Sequence, residues 1–265
     1  METGAITGYI DTAQVLLYLF WIFFAGLIYY LDMEGRREGF PMESDATGAY
    51  EKNKWLFMPA PKTFKLPHGH GTVTVPNDKR DNAERPVPGA KVYSFSGSPY
   101  SPTGANPMLD SIGPGSWADR ADTPDLNLHG HAKIRPLRAE PAFSIAKGDR
   151  DPRGLRVVGH DSVIAGRITD VWVDTAEQMI RYLEVAIGEG KAARNVLLPI
   201  NFAMMKTPRD KEVVFYVHAI SGAQFADVPG TKKADEVTFL EEDKIMAYYG
   251  SGLLYSTPKR IGPKL

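Results

Sequence analysis

The sequence predicts one N-terminal transmembrane helix followed by a mainly β domain, a small antiparallel barrel with a helix behind it. Three observations carry that expectation. Residues Thr12 to Leu31 form a single apolar run without a charged side chain. At 1.5 Å per residue, roughly 20 residues make a helix of about 30 Å, the thickness of a bilayer's hydrocarbon core. Short alternating apolar stretches separated by turn residues fill 133–220, as strands of a small barrel or sandwich do. Finally, Thr238 and Glu241 have the spacing of a capping box ahead of an apolar-striped segment.

The apolar run reads as an anchor because its alternatives fit poorly. A cleaved signal peptide has a basic leader and a small-x-small cleavage site. Here residues 1–11 carry acids and no Lys or Arg, and the run ends in Tyr29, Tyr30, Leu31 and Asp32. A soluble core helix is seldom apolar on every face over this length. The first basic residues after the run are Arg36 and Arg37, followed by Lys52, Lys54, Lys62 and Lys65. The positive-inside bias therefore predicts an N-terminus outside at 1–11, a span at 12–31 and a cytoplasmic remainder. Tyr18 and Trp21 lie too deep for interfacial belt residues, so their polar groups call for a partner, which a neighbouring transmembrane helix would supply.

Net charge is −1 and no Lys/Arg stripe with interleaved aromatics occurs, which argues against nucleic-acid binding. The chain has no cysteine, so disulfides, thiolate nucleophiles and Cys-ligated metal are excluded. No P-loop, GxGxxG, GxSxG or HExxH pattern is present, nor is a nucleophile–base pair or three-ligand cluster evident.

Residues 32–115 are dense in Pro and Gly. This composition predicts extended, irregular chain with short strands such as Thr72–Val75. Trp55, Phe57, Phe64, Tyr93, Phe95 and Tyr100 are too many rings for a solvated linker, so the segment is expected to lie on another surface and bury them there. Residues 116–258 form the cap domain, with a barrel core at 153–220. Strands are expected at Lys133–Arg138, Arg156–Val158, Val163–Asp174, Met179–Ile187, Asn195–Ile200 and Val213–Ile220. Alternation in Asp170 to Asp174 puts Val171 and Val173 on one face and Asp170, Trp172 and Asp174 on the other. The final helix, at 239–249, is expected to stop at Gly250 and to pack Leu240, Met246 or Ala247, and Tyr248 onto the sheet. A tail at 259–265 follows.

Taken in order, these segments resemble the H subunit of the photosynthetic reaction centre of purple bacteria. The anchor is followed by Arg36-Arg37-Glu38-Gly39-Phe40-Pro41 and by Pro61-Lys62-Thr63-Phe64-Lys65-Leu66-Pro67-His68-Gly69. Further on come Asp151-Pro152-Arg153-Gly154-Leu155, Trp172-Val173-Asp174 and Arg181-Tyr182-Leu183-Glu184-Val185. Leu240-Glu241-Glu242-Asp243-Lys244 then leads to Gly252-Leu253-Leu254-Tyr255. The resemblance implies a PRC-type barrel and a non-enzymatic, non-pigmented subunit that binds no cofactor itself. Its partners would be the two pigment-binding subunits, L and M, on whose cytoplasmic face it sits. They would hold bacteriochlorophyll, bacteriopheophytin, quinones and a non-haem iron. Membrane lipids, a light-harvesting antenna and a cytochrome subunit are further expected neighbours, in a bacterial inner, intracytoplasmic photosynthetic membrane. The implied role is to stabilise the quinone sites and to conduct protons to the secondary quinone. The competing expectation is a tethered PRC-barrel scaffold without a proton role.

Proton conduction needs groups that exchange near neutral pH, namely histidine or desolvated carboxylates. By resemblance, Glu177 matches the family's interior relay glutamate, with Asp174 beside it. By their residues alone, both are turn acids between two strands. His129 and His131 match the family's surface histidine pair at the proton entrance; unaided, they are two exposed histidines. If extended, the pair projects to one face and offers an inhibitory site for a divalent cation, with no physiological metal implied. The family pattern can carry an Asp two residues before the first of them, where this chain has Asn127, and an amide neither relays a proton nor adds an anionic ligand. Asp122 and Asp125 are nearby substitutes. Arg181 is placed on the face of Leu183, partly buried and paired with an acid of the cap such as Glu177 or Glu241, through which it would tune the relay electrostatically. His68 is read as a turn residue.

Overall fold

In the computed structural model of the chain, described for residues 4–40, 42, 47, 58–77, 88–188, 190, 193–207 and 212–260, two compact units divide at Arg85/Pro86. In the first, helix α1 spans Thr12–Gly35, and the Asp11 carboxylate caps it by accepting the Gln14 amide at 2.7 Å. The helix is long and apolar enough to cross a membrane, and none of its side chains is buried. Tyr18 finds its polar partner within the helix, since Gln14 Nε2 donates to its hydroxyl at 2.9 Å; a second helix is not needed for that bond.

Helix α1 outlasts the uncharged run by one turn, which carries Asp32 and Glu34. Arg36 pairs with Asp32 at 2.9 Å and Arg37 with Glu34 at 2.7 Å. The Arg37 guanidinium also donates to the carbonyls of Ala60 and Val75, tying the helix end to a hairpin. That hairpin pairs β1 (Lys62–Lys65) with β2 (Thr72–Val75), and His68 sits in its turn at φ +55°. Among the described residues of this unit only Arg36 and Pro59 are buried. Trp55 and Phe57 lie outside the described residues.

The second unit opens with a small hairpin, β3 (Gly89–Lys91) and β4 (Tyr100–Pro102). Tyr93 and Phe95 stack on each other between its strands and, with Tyr100, stay about half exposed. The main sheet has seven strands: β5 (Ile134–Pro136), β6 (Arg156–Val158), β7 (Ile164–Asp174), β8 (Met179–Ile187), β9 (Arg194–Pro199), β10 (Ala203–Lys206) and β11 (Val214–Val217). Their order is β10-β11-β6-β7-β8-β9, with β5 also on β7, and the sheet curls into a half barrel. One pairing departs from the antiparallel expectation: β11 runs parallel to β6.

Strand β7 is the spine. Its first half pairs with β6, its last three residues with β5, and its other edge with β8 from Gly166 to Asp174. The alternation expected for Asp170 to Asp174 does not separate an inner from an outer face, because all five residues are buried. Val171 and Val173 join the core. Trp172 belongs to the core as well and bonds Glu184 through its indole N–H, while Asp170 accepts from Arg138 and Asp174 lies beside Lys133.

Helix α2 (Phe239–Tyr255) carries the expected capping box: Glu241 N–H donates to Thr238 Oγ1 and Thr238 N–H to Glu241 Oε2. It does not stop at Gly250. Gly252 lets the helix run on against the barrel, since a Cβ there would meet Ile220 Cγ2 at 2.5 Å and the Ala219 carbonyl oxygen at 2.7 Å. Of the residues expected to pack, Ala247 and Tyr248 are buried, while Met246 is exposed; Ile245, Tyr249 and Tyr255 complete the inner face.

Candidate functional site

The β7–β8 turn builds the first half of the site. Asp174 ends β7 at 2 % exposure. Its Oδ1 accepts the amides of Ala176 and Glu177 at 3.0 and 2.9 Å, an Asx turn that fixes the tight loop and holds Glu177 at its tip. The Glu177 side chain is 53 % exposed, so it stands on this chain's surface and not in its interior.

The second half comes from 125–133. Asp125 and Lys133 face each other across a narrow ladder: Lys133 N–H donates to the Asp125 carbonyl, Leu126 bridges Ala132, and Asn127 N–H donates to the His131 carbonyl. Because Ile134 pairs with Asp174, this ladder delivers Lys133 to the β7–β8 turn. Lys133 Nζ then gathers three carboxylates, Glu177 at 3.3 Å and Asp174 and Asp125 each at 3.6 Å. Partial burial pulls the ammonium down. The Glu177 bond and the charges of Asp174, Asp125 and Glu177 outweigh it and hold Lys133 above its ordinary value.

His129 and His131 occupy the tip of the same ladder, both exposed. They are not on an extended strand. The chain turns there, with Gly130 at φ +79° and the Asn127 side-chain oxygen accepting the amides of His129 and His131 at 3.0 and 3.1 Å. Asn127 is thus the residue that shapes the loop. Of the two substitute acids, Asp125 joins Lys133, whereas Asp122 accepts from Thr238 Oγ1 and pairs with Lys232 at the start of α2. Among the described residues no three His, Asp or Glu side chains gather as a metal-holding group.

Arg181 departs from expectation in its face, and the cap acid it meets is neither Glu177 nor Glu241. Trp172 pairs with Tyr182 and Val173 with Ile180, so Arg181 is the extra residue of a β-bulge. A bulge breaks the alternation and re-aims its side chain. Arg181 therefore shares a cleft with Tyr182, Arg120, Glu242 and Asp243. Its expected partners are engaged elsewhere, Glu177 with Lys133 and Glu241 in the capping box.

Sequence reasoning missed Lys133, and it missed a buried network around Glu184. There Arg138 bonds Glu184 at 2.6 Å and Asp170 at 3.1 Å, while Trp172 Nε1 and Asn195 Nδ2 donate to the remaining Glu184 lone pairs at 2.7 and 2.5 Å. Burial opposes the Arg138 charge, but Glu184 and then Asp170 raise it above its ordinary value. With its oxygens bonded to Arg138, Trp172 and Asn195, Glu184 ties β7, β8 and β9 together.

Set against known families, residues 4–139 match the N-terminal region of the photosynthetic reaction centre H-chain, just over half of the chain, and residues 145–224 match the PRC-barrel domain.

Proposed function

The chain belongs to the photosynthetic reaction centre H-chain family, and from that premise we propose a subunit that delivers protons to the secondary quinone. Membership makes it an accessory subunit that associates with other reaction-centre subunits, and α1 fits a membrane anchor. In the finer reading it caps the cytoplasmic face of L and M, with its N-terminus periplasmic. It steadies the quinone sites and leaves pigments, quinones and iron to those partners. It acts as a conductor with no catalytic residue of its own.

The observation that supports proton delivery is the convergence on Lys133. One cation draws Asp125, Asp174 and Glu177 within 3.6 Å, at the base of the ladder whose tip carries His129 and His131. A proton taken by an exposed imidazole has Asp125 two ladder steps away, and Lys133 holds that carboxylate in one cluster with Asp174 and Glu177.

Replacing Glu177 by Gln keeps shape and removes the exchangeable proton. In the intact complex Glu177→Gln is expected to slow the proton-coupled second reduction of the quinone, by about tenfold or more, with charge separation unchanged. Flash kinetics read both steps. Unchanged second-electron kinetics would leave a tethered PRC-barrel scaffold as the reading.

A further inference from the structure

The uncharged run of α1 closes at Leu31, and Asp32, Glu34, Arg36 and Arg37 follow it directly. At 1.5 Å per residue that stretch covers about 9 Å, against a headgroup layer of roughly 5–8 Å on each side of a bilayer. The β1–β2 hairpin is held at the same level. Arg37 Nη1 donates to the carbonyls of Ala60 at 2.8 Å and Val75 at 3.2 Å, and Lys62 Nζ lies 3.7 Å from Glu34. Because Lys62 pairs with Val75, these contacts seize both strands at the base of the ribbon. Helix end and hairpin belong to one compact unit.

The side chains of the ribbon suit that level. From Met58 to Asn77 the sequence has Lys62, Lys65, His68 and His70 and no acid. At the helix end Asp32 and Glu34 are taken by Arg36 and Arg37, and the exposed Glu38 is the remaining acid there. Lys65 has no ion-pair partner among the described residues. Lys62 lies over the Phe64 ring at 5.1 Å and shares its face with Val73 and Val75, while Thr63, Lys65, Thr72 and Thr74 form the other. Phe64, Lys65 and Leu66 are all exposed. A two-stranded ribbon lying edge-on along a surface brings residues of both faces to it. Basic and apolar side chains in alternation match an anionic interface, where apolar groups enter and ammonium groups stay among the phosphates. A protein partner would match them less well, since lysine is depleted from protein–protein interfaces.

We propose that the β1–β2 hairpin is a headgroup-binding foot. Lys62 and Lys65 take the phosphates of anionic phospholipids in the leaflet where α1 ends, and Phe64 and Leu66 settle between the headgroups. The inference rests on the reading of α1 as a membrane anchor. The foot gives that anchor a second hold, which fixes the rotation of α1 about its axis as well as its depth.

The chain has no cysteine, so Leu66→Cys and Ile22→Cys each take a single nitroxide label without further substitution. The labelled full chain is placed in nanodiscs of phosphatidylcholine alone or with about one-third phosphatidylglycerol. Each label is then read for relaxation by oxygen and by a neutral, water-soluble nickel chelate. The Leu66 label is expected to lose roughly two- to fivefold of its nickel accessibility in the anionic discs, fivefold being the gain in surface partitioning from one basic residue. Lys62→Gln combined with Lys65→Gln returns it to the phosphatidylcholine value. Raising salt from about 0.05 to 0.5 M does the same with both lysines in place, and so tests the idea even if the double variant misfolds. The Ile22 label is expected to stay oxygen-accessible and nickel-shielded throughout. Ile22 shielded, with Leu66 indifferent to lipid charge, overturns this inference alone. Ile22 open to nickel overturns the anchor reading beneath it. A Leu66 label shielded only in the intact complex, whatever the lipid charge, marks a partner subunit as the occupant and also overturns the proposal.

Discussion

At Asp174 the two carboxylate oxygens divide their work: Oδ1 holds the amides of the turn, and Oδ2 faces Lys133 at 3.6 Å. At Glu242 the balance is different, and it has a consequence for stability. Burial raises the Glu242 carboxyl above the ordinary value of 4.5. Folding then favours its protonated form, and that stability is fully present below the unfolded value and lost as pH rises through the folded one. Glu242→Gln, which can still accept from Tyr182, should remove that loss. Its thermal midpoint relative to the parent is expected to be higher at pH 7 than at pH 4 in the full chain, as scanning calorimetry would show. Glu177 and Asp174 were legible in the sequence because a turn between two strands needs acids or amides at its start. Lys133 was not, because only the pairing of Ile134 with Asp174, forty residues apart, brings it there. The meeting of Arg181 with Glu242 was hidden for a related reason: a bulge changes the phase of a strand without leaving a mark in its residue types.

Among the elements, the longest strands were the most legible, since β7 and β8 carry long apolar patterns that local turn chemistry brackets, and Met179–Ile187 falls where it was expected. The short hairpins β1–β2 and β3–β4, and β10, were read in part or not at all, because three or four residues carry too little periodicity. The parallel approach of β11 to β6 is a matter of topology and has no local signal. Helix α2 overran its expected end because Gly250 reads as a terminator, whereas the barrel wall demands glycine two residues along. That demand can be weighed. Alanine at Gly252 gains about 1 kcal/mol of helix propensity but drives a Cβ against Ile220 and the Ala219 carbonyl oxygen, a fixed backbone atom. Overpacking costs about 1–3 kcal/mol, so Gly252→Ala should lower the urea midpoint. Gly250→Ala, whose nearest contact is the Pro114 carbonyl oxygen at 3.1 Å, should be neutral or mildly stabilising.

Over the whole molecule, apolar burial is unevenly shared. The core, from Met108 to Tyr255, lies wholly within Pro86–Leu265. A fragment of residues 86–265 is therefore expected to unfold cooperatively, with Trp172 emission reporting the loss of its buried site as denaturant rises. A non-cooperative, sloping transition would show that the core needs the first unit. Among the described residues of Met1–Arg85 there is no comparable store: every side chain of α1 is unburied, and the β1–β2 hairpin leaves Phe64 and Leu66 exposed. For a family whose members work in company, this asymmetry bears on supply as much as on shape. A copy made in excess of its partners would carry a sound globular half and an uncovered other half, the kind of surface that membrane proteases grip. Its lifetime in the cell would then track how fast it is enrolled, so that surplus subunits are cleared and the ratio of chains is kept by degradation as well as by synthesis.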